Sequence, residues 1–159
     1  MELSNDFDKA KNHALKFLSY RDHSGGELLG KLGKYYERKT CLAALAWVRE
    51  IGYQNDAEYA EKLSALLIES KHYGARKARW EMKLKGLSDE VIDAALEKYD
   101  DDGILCKITE LIEKKYADFL GDRAGVRKTI DALMRRGYDY SDIKTGIERV
   151  REDIELDDE

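Results

Sequence analysis

Hydrophobic residues recur three or four positions apart along almost the whole chain, which is the spacing of one face of an α-helix. Nine such stripes begin at Phe7, Leu28, Cys41, Tyr59, Ala75, Val91, Ile104, Val126 and Ile143. Valine, isoleucine and threonine never cluster in alternating runs, and the chain contains no proline that would interrupt a helix. The pattern therefore predicts an all-α fold of nine helices joined by short connections.

Capping residues mark the helix ends between the stripes. Ser24–Glu27 fits a capping box, in which the serine and the glutamate side chains each bond a free amide of the first turn. Asn55 and Ser88 stand where N-caps are expected. Three glycines follow the ends of stripes and are predicted to be C-caps with left-handed backbone, namely Gly52, Gly86 and Gly137.

The tryptophans and cysteines are assigned to the interior. The fifth stripe consists of Ala75, Trp80 and Leu84. We expect Trp80 and Trp47 to pack in the core or between repeats. Cys41 and Cys106 have no CxxC partner, and we expect both to be buried, reduced thiols.

The chain contains an internal repeat. Gly74–Leu87 and Gly125–Tyr138 each begin with glycine, carry a basic helix of about three turns, and end in leucine or methionine followed by basic residues and a glycine. Ser24–Tyr36 resembles both in outline. The glycines Gly86 and Gly137 are 51 residues apart, and the sequences after them also agree.

A period of about 50 residues with three helices per unit predicts a helical repeat array, since no unit of that size buries its own core. We therefore expect three tandem three-helix repeats that form an elongated, curved array. The predicted units are residues 1–53, 54–100 and 101–151, followed by an acidic tail at 152–159. A long face favours binding along a polymer or filament over small-molecule catalysis.

Charge is abundant and unevenly distributed. Charged residues make up 38% of the chain, against a usual share of roughly a quarter. The net charge is −5, but the last eight residues carry six acids and no base, so the rest of the chain has a net charge of +1. No signal peptide is recognisable, and no apolar run approaches the roughly 18 residues of a membrane span. We expect a cytoplasmic protein that does not contact membranes.

Two basic segments occupy equivalent places in the second and third repeats. Lys71–Lys85 contains six lysines and arginines with one acid, and Arg123–Arg136 contains five with one acid. We interpret them as one face that binds phosphates or an acidic partner surface, and a solvated helix face is the alternative. The candidate binding residues are Arg76, Lys77, Arg79, Lys83, Lys85, Arg123, Arg127, Lys128, Arg135 and Arg136.

Several tyrosines lie at helix ends beside the basic segments. They are Tyr35, Tyr36, Tyr73, Tyr138 and Tyr140. Packing at helix ends is the favoured interpretation, and stacking of nucleic-acid bases on the rings is the alternative.

Catalytic chemistry is not indicated by any motif. The chain has no P-loop, nucleophile elbow or Rossmann glycines, and its three histidines lack metal-ligand spacing. We expect a non-enzymatic protein without a cofactor or a metal ion.

Four segments, taken in order, resemble the RecX family over roughly residues 10–150. The first is Leu18–Ser24, with leucine, arginine and serine three residues apart. The second is Gly52–Ala60, in which Asn55 replaces an acid and Tyr59 a phenylalanine of the family's signature. The others are Lys114–Tyr116 and Arg135–Ile143. Residues 55–60 are best interpreted as structural, joining the first repeat to the second.

The resemblance implies a regulator of RecA built from three three-helix repeats. Members of the family lie in the groove of the RecA–DNA filament and hinder its ATPase and strand-exchange activities in DNA recombination and repair, without catalytic residues. The resemblance therefore implies that the partner is the RecA recombinase filament and that single- or double-stranded DNA is reached through the filament. We expect a monomer. A helical nucleic-acid-binding module that acts without a recombinase is the alternative, and the net charge of −5 disfavours it.

Overall fold

Nine α-helices make up most of residues 2–157, the part of the chain that this computed structural model describes. They are α1 (Phe7–Tyr20), α2 (Gly25–Leu32), α3 (Arg38–Glu50), α4 (Asp56–Ala65), α5 (Ala75–Leu84), α6 (Asp89–Leu96), α7 (Asp101–Lys115), α8 (Arg123–Arg135) and α9 (Tyr140–Asp157). A π-helical turn, Leu66–Ser70, follows α4, and a 3-10 turn, Ala117–Phe119, follows α7. The predicted all-α fold is confirmed.

The predicted capping residues begin and end the helices. The Ser24 hydroxyl accepts a hydrogen bond from the Glu27 amide at 3.0 Å, and the Glu27 carboxylate accepts one from the Ser24 amide at 3.2 Å. Asn55 and Ser88 cap α4 and α6 through their side-chain oxygens. The three glycines have φ angles of +85°, +82° and +93° at Gly52, Gly86 and Gly137. All of these predicted caps are confirmed.

One compact unit comprises Met1–Leu63 and Met82–Ala95. Its apolar core is built from α1, α2 and α3, and Leu28, Leu32 and Val48 in it are fully buried. Each of these three residues belongs to a stripe that the sequence pattern identifies, so helical spacing accounts for this core.

A buried polar network ties the loop before α2 to the start of α4. The Gln54 side chain, only 3% exposed, donates to the His23 carbonyl at 3.1 Å and to the Asp56 carboxylate at 2.7 Å, and it accepts from Arg49 Nε at 2.7 Å. Asp56 also accepts from the Gly25 amide at 2.8 Å. These hydrogen bonds give Asp56 a structural role in the first unit, and its place at a joint between the first two repeats stays a prediction.

The second compact unit comprises Ser64–Glu81 and Leu96–Glu159. In its core α7 packs against α9, and α8 packs against α9. Ile108, Leu133 and Ile143, one from each of these helices, are fully buried. The unit therefore has a hydrophobic core of its own.

In each unit, the start of one basic-segment or equivalent helix (α2 or α5) contacts the end of the equivalent helix of the next predicted repeat (α5 or α8). In the first unit, the Ser24 hydroxyl donates to the Lys85 carbonyl at the end of α5. In the second unit, the Gly74 amide donates to the Arg136 carbonyl at the end of α8, at 2.7 Å. An α-helix leaves its terminal carbonyls without partners inside the helix, so both contacts satisfy groups that would otherwise need another partner. A Cβ atom on Gly74 would overlap the Gly137 carbonyl.

The start of α8 is contacted by the residues that directly precede it in the chain. Asp122 caps the helix by accepting from the Gly125 amide at 2.7 Å. The Phe119 carbonyl lies directly against Gly125, where a Cβ atom would overlap it. The place that corresponds to Gly74 in the repeat is therefore occupied by the 3-10 turn before α8.

The interior position assigned to Trp80 is wrong. Its side chain is 58% exposed, and Leu84 of the same predicted stripe is 62% exposed. The residues that α5 buries are Ala78 and Met82, and each lies two positions from Trp80, which is roughly 200° around the helix. Trp47, in contrast, packs against the core of the first unit as predicted.

The two cysteines differ in exposure. Cys41 is buried as predicted, whereas Cys106 is exposed, which contradicts the expectation for it. The buried stripe of α7 includes Ile104 and Ile108, and Cys106 lies midway between them on the opposite side of the helix.

The acidic tail begins inside α9. This helix continues to Asp157, so the first part of the tail predicted at 152–159 is helical. Asp158 and Glu159 lie outside the described residues, and so do the side chains of residues 155–157. The predicted repeat boundaries and the elongated, curved arrangement stay predictions.

Candidate binding surface

A cleft of about 560 Å³ in the second unit brings together parts of both predicted basic segments. Lys71, Tyr73 and Lys77 line one side, on α5 and the loop before it, and the last turn of α8 lines the other with Ala132, Arg135 and Arg136. Four of these six residues are cations, and none is acidic. We call these six residues the basic cleft.

Two of the predicted arginines hold the walls of the basic cleft together, because their side chains donate hydrogen bonds to main-chain carbonyls. Arg136 donates to the Lys71 carbonyl at 2.8 Å, and Arg76 donates to the Tyr138 carbonyl at 3.0 Å. The buried Tyr138 hydroxyl donates to the His72 carbonyl at 2.9 Å, and burial raises the pKa of Tyr138 to about 12. Arg76 and Arg136 therefore fix the loop before α5 against the end of α8.

The loop before α5 has an unusual backbone. His72 has a φ angle of +58°, the left-handed region that few residues other than glycine adopt. This conformation lies between Lys71 and Tyr73, both of which line the basic cleft. The bonds to the carbonyls of Lys71 and His72 hold the strained residue in place.

Several cations lie near His72 in this loop. Burial lowers the pKa of His72, and the nearby charges of Lys115, Arg136, Lys114 and Lys107 lower it further. An anion bound beside these groups would be attracted by several cations at once.

Lysine side chains also lie over the ring of Tyr73. Lys77 Nζ is 4.2 Å from the ring centroid, and Lys71 Nζ is 5.9 Å from it. Cation–π contacts of this kind hold the ammonium groups at the surface of the cleft. Tyr73, which was predicted to pack at a helix end, therefore also positions Lys71 and Lys77 in the cleft.

The candidate residues on α5 and just after it differ in their surroundings. Lys77 lines the basic cleft, and Arg79 is half-buried. Lys83 pairs with Asp89 at 2.9 Å, with both side chains largely exposed. Lys85 is half-buried, and its carbonyl accepts the Ser24 hydrogen bond at the joint of the first unit. Lys83 and Lys85 belong to the first unit, whereas Lys77 and Arg79 belong to the second.

The candidate residues on α8 divide between its two ends. Arg135 and Arg136 line the basic cleft near the end of the helix. Arg123 and Arg127 are exposed near its start and are not among the residues that line the cleft. Lys128 lines a second cleft.

The second cleft has a volume of about 350 Å³ and adjoins the basic cleft through two shared residues, Ala132 and Arg135. Its further lining residues are Tyr116, Phe119, Lys128, Thr129 and Asp131. The rings of Tyr116 and Phe119 are 6.5 Å apart and tilted by 52°, and Phe119 is 53% exposed. We call these seven residues the aromatic cleft.

Several cations at this surface are absent from the ten predicted residues. They are Lys71, Lys107, Lys114 and Lys115. The sequence carries a signal for three of them, because Lys71 begins the first basic segment and Lys114 and Lys115 form a basic last turn of α7. The proximity of Lys114 and Lys115 to His72 depends on tertiary packing, which the local pattern does not reveal.

Metal-binding geometry is not found in the described part of the chain. Within residues 2–157, no group of three or more histidine, cysteine, aspartate or glutamate side chains is placed to hold a metal ion. In the same range no helix is both long and apolar enough to cross a membrane.

Comparison with known proteins relates this helical arrangement to one family. The model of the second three-helix domain of RecX matches residues 55–96, and that of the third three-helix domain matches residues 105–146. The chain belongs to the RecX family. It is 35% identical to the regulatory protein RecX of Stenotrophomonas maltophilia over 82% of this chain and 80% of that protein. It is also 32% identical to the regulatory protein RecX of Chlorobaculum tepidum, over 89% of this chain and 88% of that one.

A solved RecX structure has the same fold. The crystal structure of RecX from Lactobacillus salivarius superposes with a TM-score of 0.82 and 25% sequence identity, and the match covers 94% of this chain and 99% of that one. The resemblance inferred from the four sequence segments is therefore confirmed, as is the fold of tandem RecX three-helix domains.

Proposed function

We propose that this RecX-family protein binds the RecA recombinase filament in the cytoplasm and restrains its ATPase and strand-exchange activities in DNA recombination and repair. The relatives' description as regulatory proteins supports this proposal. The single structural observation that carries it is the basic cleft, where four cations from two repeats converge on one surface. The protein would act by binding, and no catalytic step is proposed.

The basic cleft suits an extended anionic partner. A filament repeats the same acidic or phosphate-bearing surface along its length, so a bound regulator can contact neighbouring protomers together. A ligand that binds one state of the filament more tightly shifts the filament toward that state. Tight binding to a static or dissociating state would therefore slow nucleotide-linked turnover.

The test is inhibition of the ATPase of RecA on single-stranded DNA. The double variant Lys77→Glu with Arg135→Glu reverses two charges of the basic cleft. We expect the concentration for half-inhibition to rise about tenfold or more, equivalent to a loss of about 1.4 kcal/mol in binding. The matched control is Lys39→Glu with Lys144→Glu, which reverses two exposed lysines outside the cleft and should inhibit as the parent does. Equal inhibition by the parent and both variants would refute the role of the cleft.

A second candidate function is nucleic-acid binding without a recombinase. It is favoured by Tyr73, an aromatic ring among four cations, which is a combination typical of single-strand binding surfaces. If all four cations contacted phosphates of a single strand, the plot of log affinity against log salt would have a slope of about −3. Titration of bare single-stranded DNA at several salt concentrations, with and without RecA, separates the two functions. Tight binding without RecA would favour the second.

A further inference from the structure

The aromatic cleft and the basic cleft form one continuous surface with two different chemistries. Both are in the second unit, and Ala132 and Arg135 line both. The aromatic cleft presents the rings of Tyr116 and Phe119, and the basic cleft presents four cations. A ligand that fills both must therefore be apolar at one point and anionic next to it.

We infer that the joined clefts bind an extended acidic protein segment in which a bulky apolar residue adjoins aspartates or glutamates. The aromatic cleft, at about 350 Å³, lies near the lower end of the range for ligand pockets and suits a large side chain. The inference builds on the proposed function, since it names the chemistry of the segment that the regulator contacts.

The arrangement of the rings favours a protein side chain over a nucleobase. Base-stacking surfaces present flat ring faces, whereas the ring planes of Tyr116 and Phe119 are tilted by 52° relative to each other, so one planar base cannot stack on both. The two rings and Ala132 line a cleft that an apolar side chain can enter.

The charges along the surface support the same occupant. Asp131 lines the aromatic cleft together with the cations Lys128 and Arg135, and its carboxylate would weaken the attraction of a phosphodiester backbone that ran through both clefts. A protein segment places its carboxylates in the basic cleft only and leaves an uncharged side chain near Asp131. Arginine forks bind carboxylates through paired hydrogen bonds, and Arg135 stands at the junction to do so.

The experiment measures binding of a labelled synthetic peptide to the full chain by fluorescence anisotropy. The peptide is a short run of aspartate and glutamate with one central phenylalanine. Two further probes are the same peptide with alanine in place of phenylalanine, and an oligothymidylate of equal charge. We expect the phenylalanine peptide to bind about tenfold more tightly than either.

Variants assign the binding to the two clefts. Phe119→Ala and Arg135→Gln should each weaken binding of the phenylalanine peptide about tenfold. The matched controls are Tyr140→Ala, since Tyr140 is also 53% exposed, and Lys144→Gln, and both should bind the peptide as the parent does. Because Phe119 and Arg135 are exposed, these changes leave the fold intact, which circular dichroism verifies.

Three results would overturn the inference. They are equal affinity for the phenylalanine and alanine peptides, tighter binding of the oligothymidylate, or no binding of the phenylalanine peptide. Failure here is distinguishable from failure of the proposed function. A chain that inhibits RecA but ignores the peptide refutes only the inference, and one that binds the peptide but leaves the RecA ATPase unchanged refutes only the proposed function.

Discussion

The amide of Gly74 donates a hydrogen bond to the carbonyl of Arg136 across 62 residues of sequence, at a distance of 2.7 Å. This bond joins the end of α8 to the start of α5 and holds the two walls of the basic cleft together. The structural joint and the candidate binding surface therefore share one residue, Arg136, which also lines the cleft.

Replacement of Gly74 should strongly destabilise the second unit. In Gly74→Ala the new methyl group would overlap the Gly137 carbonyl, and such overpacking costs about 1–3 kcal/mol. Urea unfolding followed by circular dichroism measures the loss. Gly30→Ala is the matched control, because nothing lies within 4 Å of its added Cβ atom, and alanine in a helix is expected to stabilise by about 0.5–1 kcal/mol. A stable Gly74→Ala protein would contradict the close contact.

Ser24 should contribute more to stability than an ordinary N-cap. Its hydroxyl accepts from the Glu27 amide and donates to the Lys85 carbonyl, so Ser24→Ala removes both bonds from a fully buried site. We expect a loss of about 2 kcal/mol, the upper end of the range for N-caps, in the free energy of unfolding. Ser19→Ala, at an exposed serine bonded only to the Lys16 carbonyl within its own helix, should change it by less than about 0.5 kcal/mol. Equal effects of the two substitutions would rule out the joint at Ser24.

Stability should fall as the pH is lowered through the range in which histidine titrates. His23 is 2% exposed, and its ring contacts the Arg21 carbonyl and Lys31 Nζ. Burial, together with the charges of Arg21 and Lys31, lowers its pKa below 6.5. As the pH falls, His23 therefore takes up a proton more readily in the unfolded chain than in the folded chain. The contribution of neutral His23 to the free energy of unfolding is complete above pH 6.5 and is lost as the pH falls below it.

Urea midpoints at about pH 8 and about pH 5.5 measure this dependence. His23→Gln should make the decrease between them smaller, whatever it does to stability at the higher pH. His13 and His72 also have pKa values lowered by burial, so part of the decrease should remain. An unchanged difference between the two midpoints in His23→Gln would show that the His23 ring stays accessible to protons.

The two thiols should react at very different rates. Cys106 is exposed, whereas Cys41 is buried and burial raises the pKa of its thiol, which lowers the concentration of the reactive thiolate. A maleimide reagent followed by mass spectrometry should label Cys106 quickly and Cys41 only after denaturation. Cys106→Ser should then abolish labelling of the folded chain, and rapid double labelling of the parent would contradict the burial of Cys41.

Much of the fold follows from local sequence signals. The caps at Ser24, Asn55 and Ser88 and the three glycine turns depend on residues within a few positions of one another, and all occur as predicted. Trp80 and Cys106 show the limit of such patterns. Each lies in a helix whose apolar residues cover more than one face, so the choice of the buried face depends on which neighbour packs against it.

The assembly of the candidate site from distant residues cannot be predicted from local sequence patterns. Basic segments identify Lys77 and Arg135, but not that they line one cleft. The roles of Arg76 and Arg136 in bonding main-chain carbonyls were not foreseen. A carbonyl carries no sequence signature, and these acceptors lie more than 60 residues away in the chain.

The Phe119 carbonyl lies so close to Gly125 that any side chain at that position would collide with it. The corresponding glycine of the repeat, Gly74, also lies against a carbonyl, that of Gly137 after the end of α8. The same glycine is therefore kept small by two different neighbours, a distant helix end in one case and the adjoining turn in the other.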